Sequence, residues 1–260
     1  MKHVIYTVAM DDGGTPYHLW MAMMLLSSIR RSGFDGKLML FTDATDEPYN
    51  SGRTDVEQIR VELTSEQKAA HAIYRVKYLV ADMVPRDAEW ILYIDPDCLI
   101  LRNPSSIFSS EADVIFSEEP WSTVQCGPNN AYLTEDEMKH CQHVAINAGA
   151  FAIRGAAFGE FVRRWRQTDQ SPPLRHNCAQ DQPPFVRTIL DWEGETVPFR
   201  EPFTVHYPEY QDIRLGGLLS AGLLHFNGVQ APEKLRRMLG FYMMKYGESA
   251  VPFLAELLRG

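Results

Sequence analysis

The run Trp90 to Ile94 (WILYI) is continuously apolar and ends abruptly at Asp95-Pro96-Asp97. An uninterrupted apolar run of this length suits a strand buried on both faces, and such strands belong to parallel sheets covered by helices. Pro96 removes a backbone donor and biases Asp95 away from helical angles, so both carboxylates fall in a turn at the strand's carboxyl end. Open α/β sheets place their ligands at that edge. Two aspartates separated by one residue on a rigid strand end form a hard-oxygen clamp for Mg²⁺ or Mn²⁺. The same composition also suits a turn in which aspartates cap backbone donors. The apolar strand before the pair and Leu99-Ile100-Leu101 after it favour the clamp.

The rest of the chain fits an α/β class. Lys2 to Ala9, Lys37 to Thr42 and Val56 to Leu63 read as strands, and Tyr17 to Arg31 reads as a helix. A Thr64-x-x-Gln67 capping box opens a helix that runs towards Met83 and stops before Pro85. Strand, helix, strand, helix, strand is the α/β signature. Further on, Asp113 to Phe116, Ala145 to Ile153 and Leu223 to Phe226 read as strands. Gly155 to Gln167 is a helix whose Phe158, Phe161, Val162 and Trp165 form a core-facing stripe. No repeat or long linker separates domains, so residues 1 to 230 are expected to form one domain and residues 231 to 260 a helical tail.

Composition narrows the function. With 34 Asp+Glu against 25 Lys+Arg, the formal net charge is −9, which argues against a nucleic-acid-coating surface. The longest wholly apolar run, Leu19 to Leu26, is eight residues, whereas a spanning helix needs about 20. The opening MKHVIYTVAMDDGG has too short an apolar stretch and too many early carboxylates to read as a secretion signal. Cys98, Cys126, Cys141 and Cys178 are widely spaced and form no zinc pattern, which suits reduced thiols and a cytoplasmic location.

The strand, the DPD triplet, LIL and the following Asn103-Pro104 resemble the core of the GT-A nucleotide-sugar glycosyltransferases, most closely the glycogenin-like and lipopolysaccharide-galactosyltransferase-like family eight. The resemblance continues through separated pieces in the same order. VAMDD supplies Ala9 and Asp11 for a nucleoside contact, with Asp12 as an alternative and helix capping as the plain reading of Asp11. RVKYL supplies Lys77 for the donor phosphates. Arg75 points about 200° away on a helix and is the other candidate. AINAGAF supplies Asn147, Ala148 and Gly149, with Asn able to donate and accept at sugar hydroxyls; a glycine bulge in a buried strand is the alternative. Gln180-Asp181-Gln182 resembles the family's DQ segment, which places Asp181 and Gln182 beside the reacting sugar, against simple capping by Asp181. LLHFNG supplies His225 as third metal ligand with Asp95 and Asp97, against a satisfied core histidine. The family continues to a Lys-Pro; this chain has Ala231-Pro232, with Lys234 two residues on.

The resemblance implies a GT-A single domain with a mixed, mainly parallel central sheet flanked by helices, and a Mn²⁺- or Mg²⁺-dependent hexosyltransferase. It would move a hexose from a nucleoside-diphosphate sugar, with UDP-sugar the family expectation, to a carbohydrate or glycolipid hydroxyl with retention. An inactive nucleotide-sugar-binding relative is one alternative. A DxD phosphatase is another, although that fold carries its motif near the chain start. The basic, apolar segment 235 to 260 would either lie on the inner face of an anionic membrane or pack back on the protein.

Overall fold

A computed structural model of the chain describes residues 2–11, 13–44, 55–65, 75–140, 143–175, 180–208 and 221–247. In chain order the elements are β1 (His3–Ala9), α1 (Tyr17–Arg31), β2 (Lys37–Thr42), β3 (Val56–Arg60) and α2 (Val76–Leu79), which tightens into a 3₁₀ turn over Val80–Met83. Then come β4 (Trp90–Ile94), β5 (Cys98–Ile100), β6 (Val114–Thr123), α3 (Glu135–His140), β7 (Val144–Arg154), α4 (Gly155–Gln170) and α5 (Gln182–Leu190). The chain continues with β8 (Thr196–Pro198), β9 (Val205–His206), β10 (Leu223–His225) and α6 (Ala231–Tyr246). Seven strands form a mainly parallel sheet in the order β3-β2-β1-β4-β7-β6-β8, and β5-β10-β9 form a small second sheet. The expected class and the three opening strands therefore hold, with β3 ending at Arg60 rather than Leu63. Gln67 of the expected capping box lies outside the described residues.

The contacts divide the chain into two compact units. One comprises residues 1–4, 63–93 and 110–199. The expected aromatic stripe of α4 is its core: Phe158, Phe161, Val162 and Trp165 are all buried. Trp165 packs 4.8 Å from Phe185 of α5, and Phe151 of β7 packs 5.0 Å from the same ring. Aromatic pairs at such spacing add about 0.5–1.5 kcal/mol each beyond their buried area. α4 starts hard against the turn before β4, where a Cβ on Gly155 would sit 1.7 Å from the Ala88 carbonyl oxygen, so only glycine fits. β6 and β7 pair antiparallel with register shifts after Phe116 and Glu119, and β6 runs seven residues past the expected end at Phe116. Such bulges re-aim side chains, and here they set Ser117 opposite Asn147 and Glu118 opposite Ile146.

The other unit comprises residues 5–62, 94–109 and 200–260. β5 was not foreseen as a strand, because three residues after a turn carry no periodic signal. It pairs antiparallel with β10, with Cys98 opposite His225 and Leu99 opposite Leu224. The Phe226 amide adds one more bond, to the Asp97 carbonyl at 2.9 Å, so the ladder fixes Asp97 as well. Gly228 turns the chain at φ 85°, a left-handed angle that suits glycine, between β10 and α6. α6 packs back on the same unit. Leu235, Met238 and Tyr242 are buried, the Tyr242 and Ser27 hydroxyls share a 2.6 Å hydrogen bond, and Arg31 of α1 lies 5.0 Å over the Tyr246 ring. Arg236 and Arg237 both pair with Glu233. The described part of the tail is therefore packed helix; no helix among the described residues is long and apolar enough to cross a membrane.

Candidate functional site

The expected site residues fall into two groups, one in each unit. In the unit that holds β5 and β10, the turn after β4 presents Asp95 and Asp97 beside β10. His225 Nε2 lies 3.4 Å from Asp97 Oδ1 and 3.8 Å from Asp95 Oδ2. Asp97 and His225 are buried, and Lys234, from the first turns of α6, donates to Asp97 Oδ2. Burial alone would push the Asp97 carboxyl up; the neighbouring His225 imidazole and Lys234 ammonium overcome that and hold it far below the usual carboxylate range. Burial lowers Lys234, but the Asp97 charge and hydrogen bond outweigh it and raise the ammonium above its ordinary value.

These donors fit a divalent cation. Asp95 and Asp97 each bring a carboxylate oxygen within 4 Å of His225 Nε2, and oxygen and imidazole donors of this kind suit Mn²⁺ or Mg²⁺. His225 Nδ1 has no hydrogen-bond partner among the described residues, and the ring packs 5.2 Å from Tyr207. Lys234 follows Ala231-Pro232 by two residues. Its contact with Asp97 puts a positive charge beside the acidic pair from a different position on α6.

Ala9 is fully buried at the end of β1. Asp11 receives the His18 amide at 2.9 Å and His18 Nδ1 at 2.9 Å on Oδ1, and the Leu19 amide at 3.0 Å on Oδ2. It therefore satisfies two amides of the first turn of α1, although Pro16 and not Asp11 holds the N-cap position. One of its four lone-pair positions is left over by these bonds. The Asp11 amide donates to Asp43 Oδ1 at 3.0 Å, which ties this loop to the end of β2. His18 was not foreseen. Its hydrogen bond to Asp11 raises its pKa against the lowering effect of burial, with further help from the Asp97 charge and opposition from Lys234. Asp12 lies outside the described residues.

The second group belongs to the unit built on β6, β7, α4 and α5. Lys77 Nζ lies 2.8 Å from Asp181 Oδ2 and donates to the Ala148 carbonyl at 3.0 Å, 4.9 Å over the Tyr93 ring. Both charged side chains are buried. Asp181 stands at the N-terminus of α5 without capping it through its side chain, so the capping alternative does not describe it. Its carbonyl accepts the Trp165 indole N–H at 3.1 Å. Arg75 turns to Asp169 instead, 2.9 Å away, so the two basic residues do point apart. Asn147 Nδ2 donates to Glu119 at 2.7 Å and its Oδ1 accepts the Gly149 amide at 2.7 Å. Gln182 Nε2 donates to Asn129 at 2.9 Å. Glu119 and Asn129 were missed because each is recruited across a long sequence gap by side-chain pairing, which spacing does not reveal.

No family model matches the sequence, and no curated protein matches it by sequence. Solved structures do match the fold. A galactosyltransferase, LgtC, in complex with donor and acceptor sugar analogues aligns over 92% of this chain and 95% of its own, with TM-score 0.56 and 12% identity. A glycosyltransferase involved in glycosylation of the major capsid of PBCV-1 aligns over 92% of this chain and all of its own, with TM-score 0.54 and 13% identity. The bifunctional glycosyltransferase WbbM aligns over 94% of this chain and 51% of its own, with TM-score 0.58 and 9% identity. At these identities the likeness establishes the GT-A fold that the sequence resemblance implied.

Proposed function

From that fold, we propose that the chain is a metal-dependent glycosyltransferase. It moves a hexose from a nucleoside-diphosphate sugar, a UDP-sugar, to a hydroxyl of a carbohydrate or glycolipid with retention of anomeric configuration. The observation that carries the reading is the approach of Asp95 and Asp97, in the turn at the carboxyl end of β4, to His225 Nε2. The neighbour LgtC, crystallised with donor and acceptor sugar analogues, supports it by fold.

In this reading Asp95, Asp97 and His225 hold Mn²⁺ or Mg²⁺, which supplies Lewis-acid stabilisation to the departing diphosphate. Lys234 carries a positive charge beside the same carboxylate and takes the phosphate contact that the family assigns to the absent Lys-Pro lysine. Asp11, with Ala9 behind it, holds the loop that borders the nucleoside and offers it the remaining lone pair. Asn147 offers sugar hydroxyls the second hydrogen of its Nδ2 and the second lone pair of its Oδ1, with Ala148 and Gly149 beside it on β7. Asp181 and Gln182 steady the positive charge that develops on the sugar as its bond to the diphosphate breaks. Lys77 holds Asp181 and the Ala148 carbonyl in place, a positioning role that replaces direct phosphate contact.

Replacing Asp97 with Ala is expected to abolish Mn²⁺-dependent transfer from, and hydrolysis of, UDP-hexoses while the circular dichroism spectrum stays native. Undiminished turnover would reject the assignment. Metal-dependent UDP-sugar binding with neither transfer nor hydrolysis would identify the chain as a binding protein instead.

A further inference from the structure

Cys98 stands directly opposite His225 in the antiparallel pair of β5 and β10. Directly opposed residues share a sheet face, with Cβ atoms about 4.5–5.5 Å apart. An Asp97 carboxylate oxygen, Cys98 Sγ and a His225 ring nitrogen all lie within 4.8 Å of one another, and all three side chains are buried. Zinc binds thiolate sulfur at about 2.3 Å and imidazole nitrogen at about 2.0 Å, so donors that close can meet one ion with small side-chain rotations.

Asp95 approaches the same imidazole, with 3.8 Å between its Oδ2 and His225 Nε2. Two donor sets therefore share Asp97 and His225 and differ in the third member: a carboxylate oxygen from Asp95 or a sulfur from Cys98. Carboxylates suit Mg²⁺ and Mn²⁺, whereas thiolates select softer ions.

Building on the proposed ion site, we infer that Cys98 gives it a second mode of occupancy: Asp97, Cys98 and His225 bind Zn²⁺ or Cd²⁺, and this excludes the hard ion held through Asp95. The thiol loses its proton to solvent as the sulfur–metal bond forms. Because Asp97 and His225 serve both sets, occupancy is exclusive, and a soft ion acts as a competitive inhibitor against Mn²⁺.

The test uses the full chain with Cys126, Cys141 and Cys178 replaced by Ser, which leaves Cys98 as its single thiol. Titration with Cd²⁺ should raise a thiolate-to-cadmium charge-transfer band and release bound Mn²⁺, seen as the free-ion electron paramagnetic resonance signal. Cys98→Ser, with Cys98→Ala as a second variant against folding artefacts, should remove the band and weaken Cd²⁺ binding by roughly tenfold or more while Mn²⁺ binding persists. Asp95→Asn should do the reverse, weakening Mn²⁺ and sparing the band. Cd²⁺ affinity unchanged in both Cys98 variants, or a band with no release of Mn²⁺, overturns the inference. The glycosyltransferase reading fails separately, if the parent chain turns over no nucleotide-sugar with Mn²⁺ whatever Cd²⁺ does at Cys98.

Discussion

Lys77 and Asp181 are enclosed together, and neither can lose its partner cheaply. Removing one member of a buried ion pair costs about 3–5 kcal/mol, because the other charge remains desolvated and uncompensated. Lys77→Met is therefore expected to lower the denaturation midpoint strongly, and Lys77→Met combined with Asp181→Leu to recover part of that loss. Equal loss in the double variant, read by urea unfolding, would mean that the two residues are not coupled. His18 makes a different prediction. It faces Asp11 in contact, with Asp97 and Lys234 as the other charges acting on it, and its pKa is raised above the ordinary 6.5. A raised folded-state pKa means that the folded chain binds the proton more tightly. That stabilisation is complete below about pH 6.5 and fades as pH rises through the folded value. His18→Gln should flatten this part of the stability–pH curve; an unchanged slope would remove His18 as its source. As candidates, Asp95, Asp97, Asn147, Asp181 and His225 were legible in the motif order. His18, Glu119 and Asn129 were not, since their partners are chosen by three-dimensional pairing. Lys77 is legible by position, but the sequence shows its charge and not the Asp181 carboxylate and Ala148 carbonyl that lie within 3 Å of it.

At the level of elements, periodicity served long segments best. α1 and β4 run between the bounds that hydrophobic patterning gave, and α4 overran its expected end by three residues, from Gln167 to Gln170. β5 and the far half of β6 escaped because their order comes from strand partners: β10 in one case, and a bulged ladder with β7 in the other. α6 illustrates the ambiguity of an amphipathic helix, whose apolar stripe fits a membrane as well as the commoner packing against a neighbouring helix. The Tyr242–Ser27 hydroxyl pair decides for packing on α1 over the described residues. Tyr242→Phe leaves the buried Ser27 hydroxyl without that partner. A cost of about 1–3 kcal/mol is expected, read as a lowered denaturant midpoint at constant m-value. No change would mean that this hydrogen bond contributes nothing net. Since the same helix delivers Lys234 to Asp97, loosening it should also weaken binding of a nucleoside diphosphate.

For the molecule as a whole, a net charge of −9 looks adverse to a ligand that carries two phosphates. The adverse term is local, however, and so would be its remedy: the divalent ion proposed for Asp95 and Asp97 would reverse the sign where the phosphates would sit. Ion and nucleotide should then bind with reciprocal coupling, each raising the affinity of the other by the same factor. A ligand present at a hundred times its Kd stabilises the folded state by about 2.7 kcal/mol. For a chain of this size that corresponds to a melting shift of several degrees, at about 2–4 °C per kcal/mol. UDP with Mn²⁺ is therefore expected to raise the melting temperature by more than the sum of the shifts produced by UDP alone and Mn²⁺ alone. Asp97→Asn should erase the excess and leave the two ligands additive. Additivity in the unmodified chain would mean that the acidic pair does not link ion to nucleotide, and the local reversal of charge would lose its place in the mechanism.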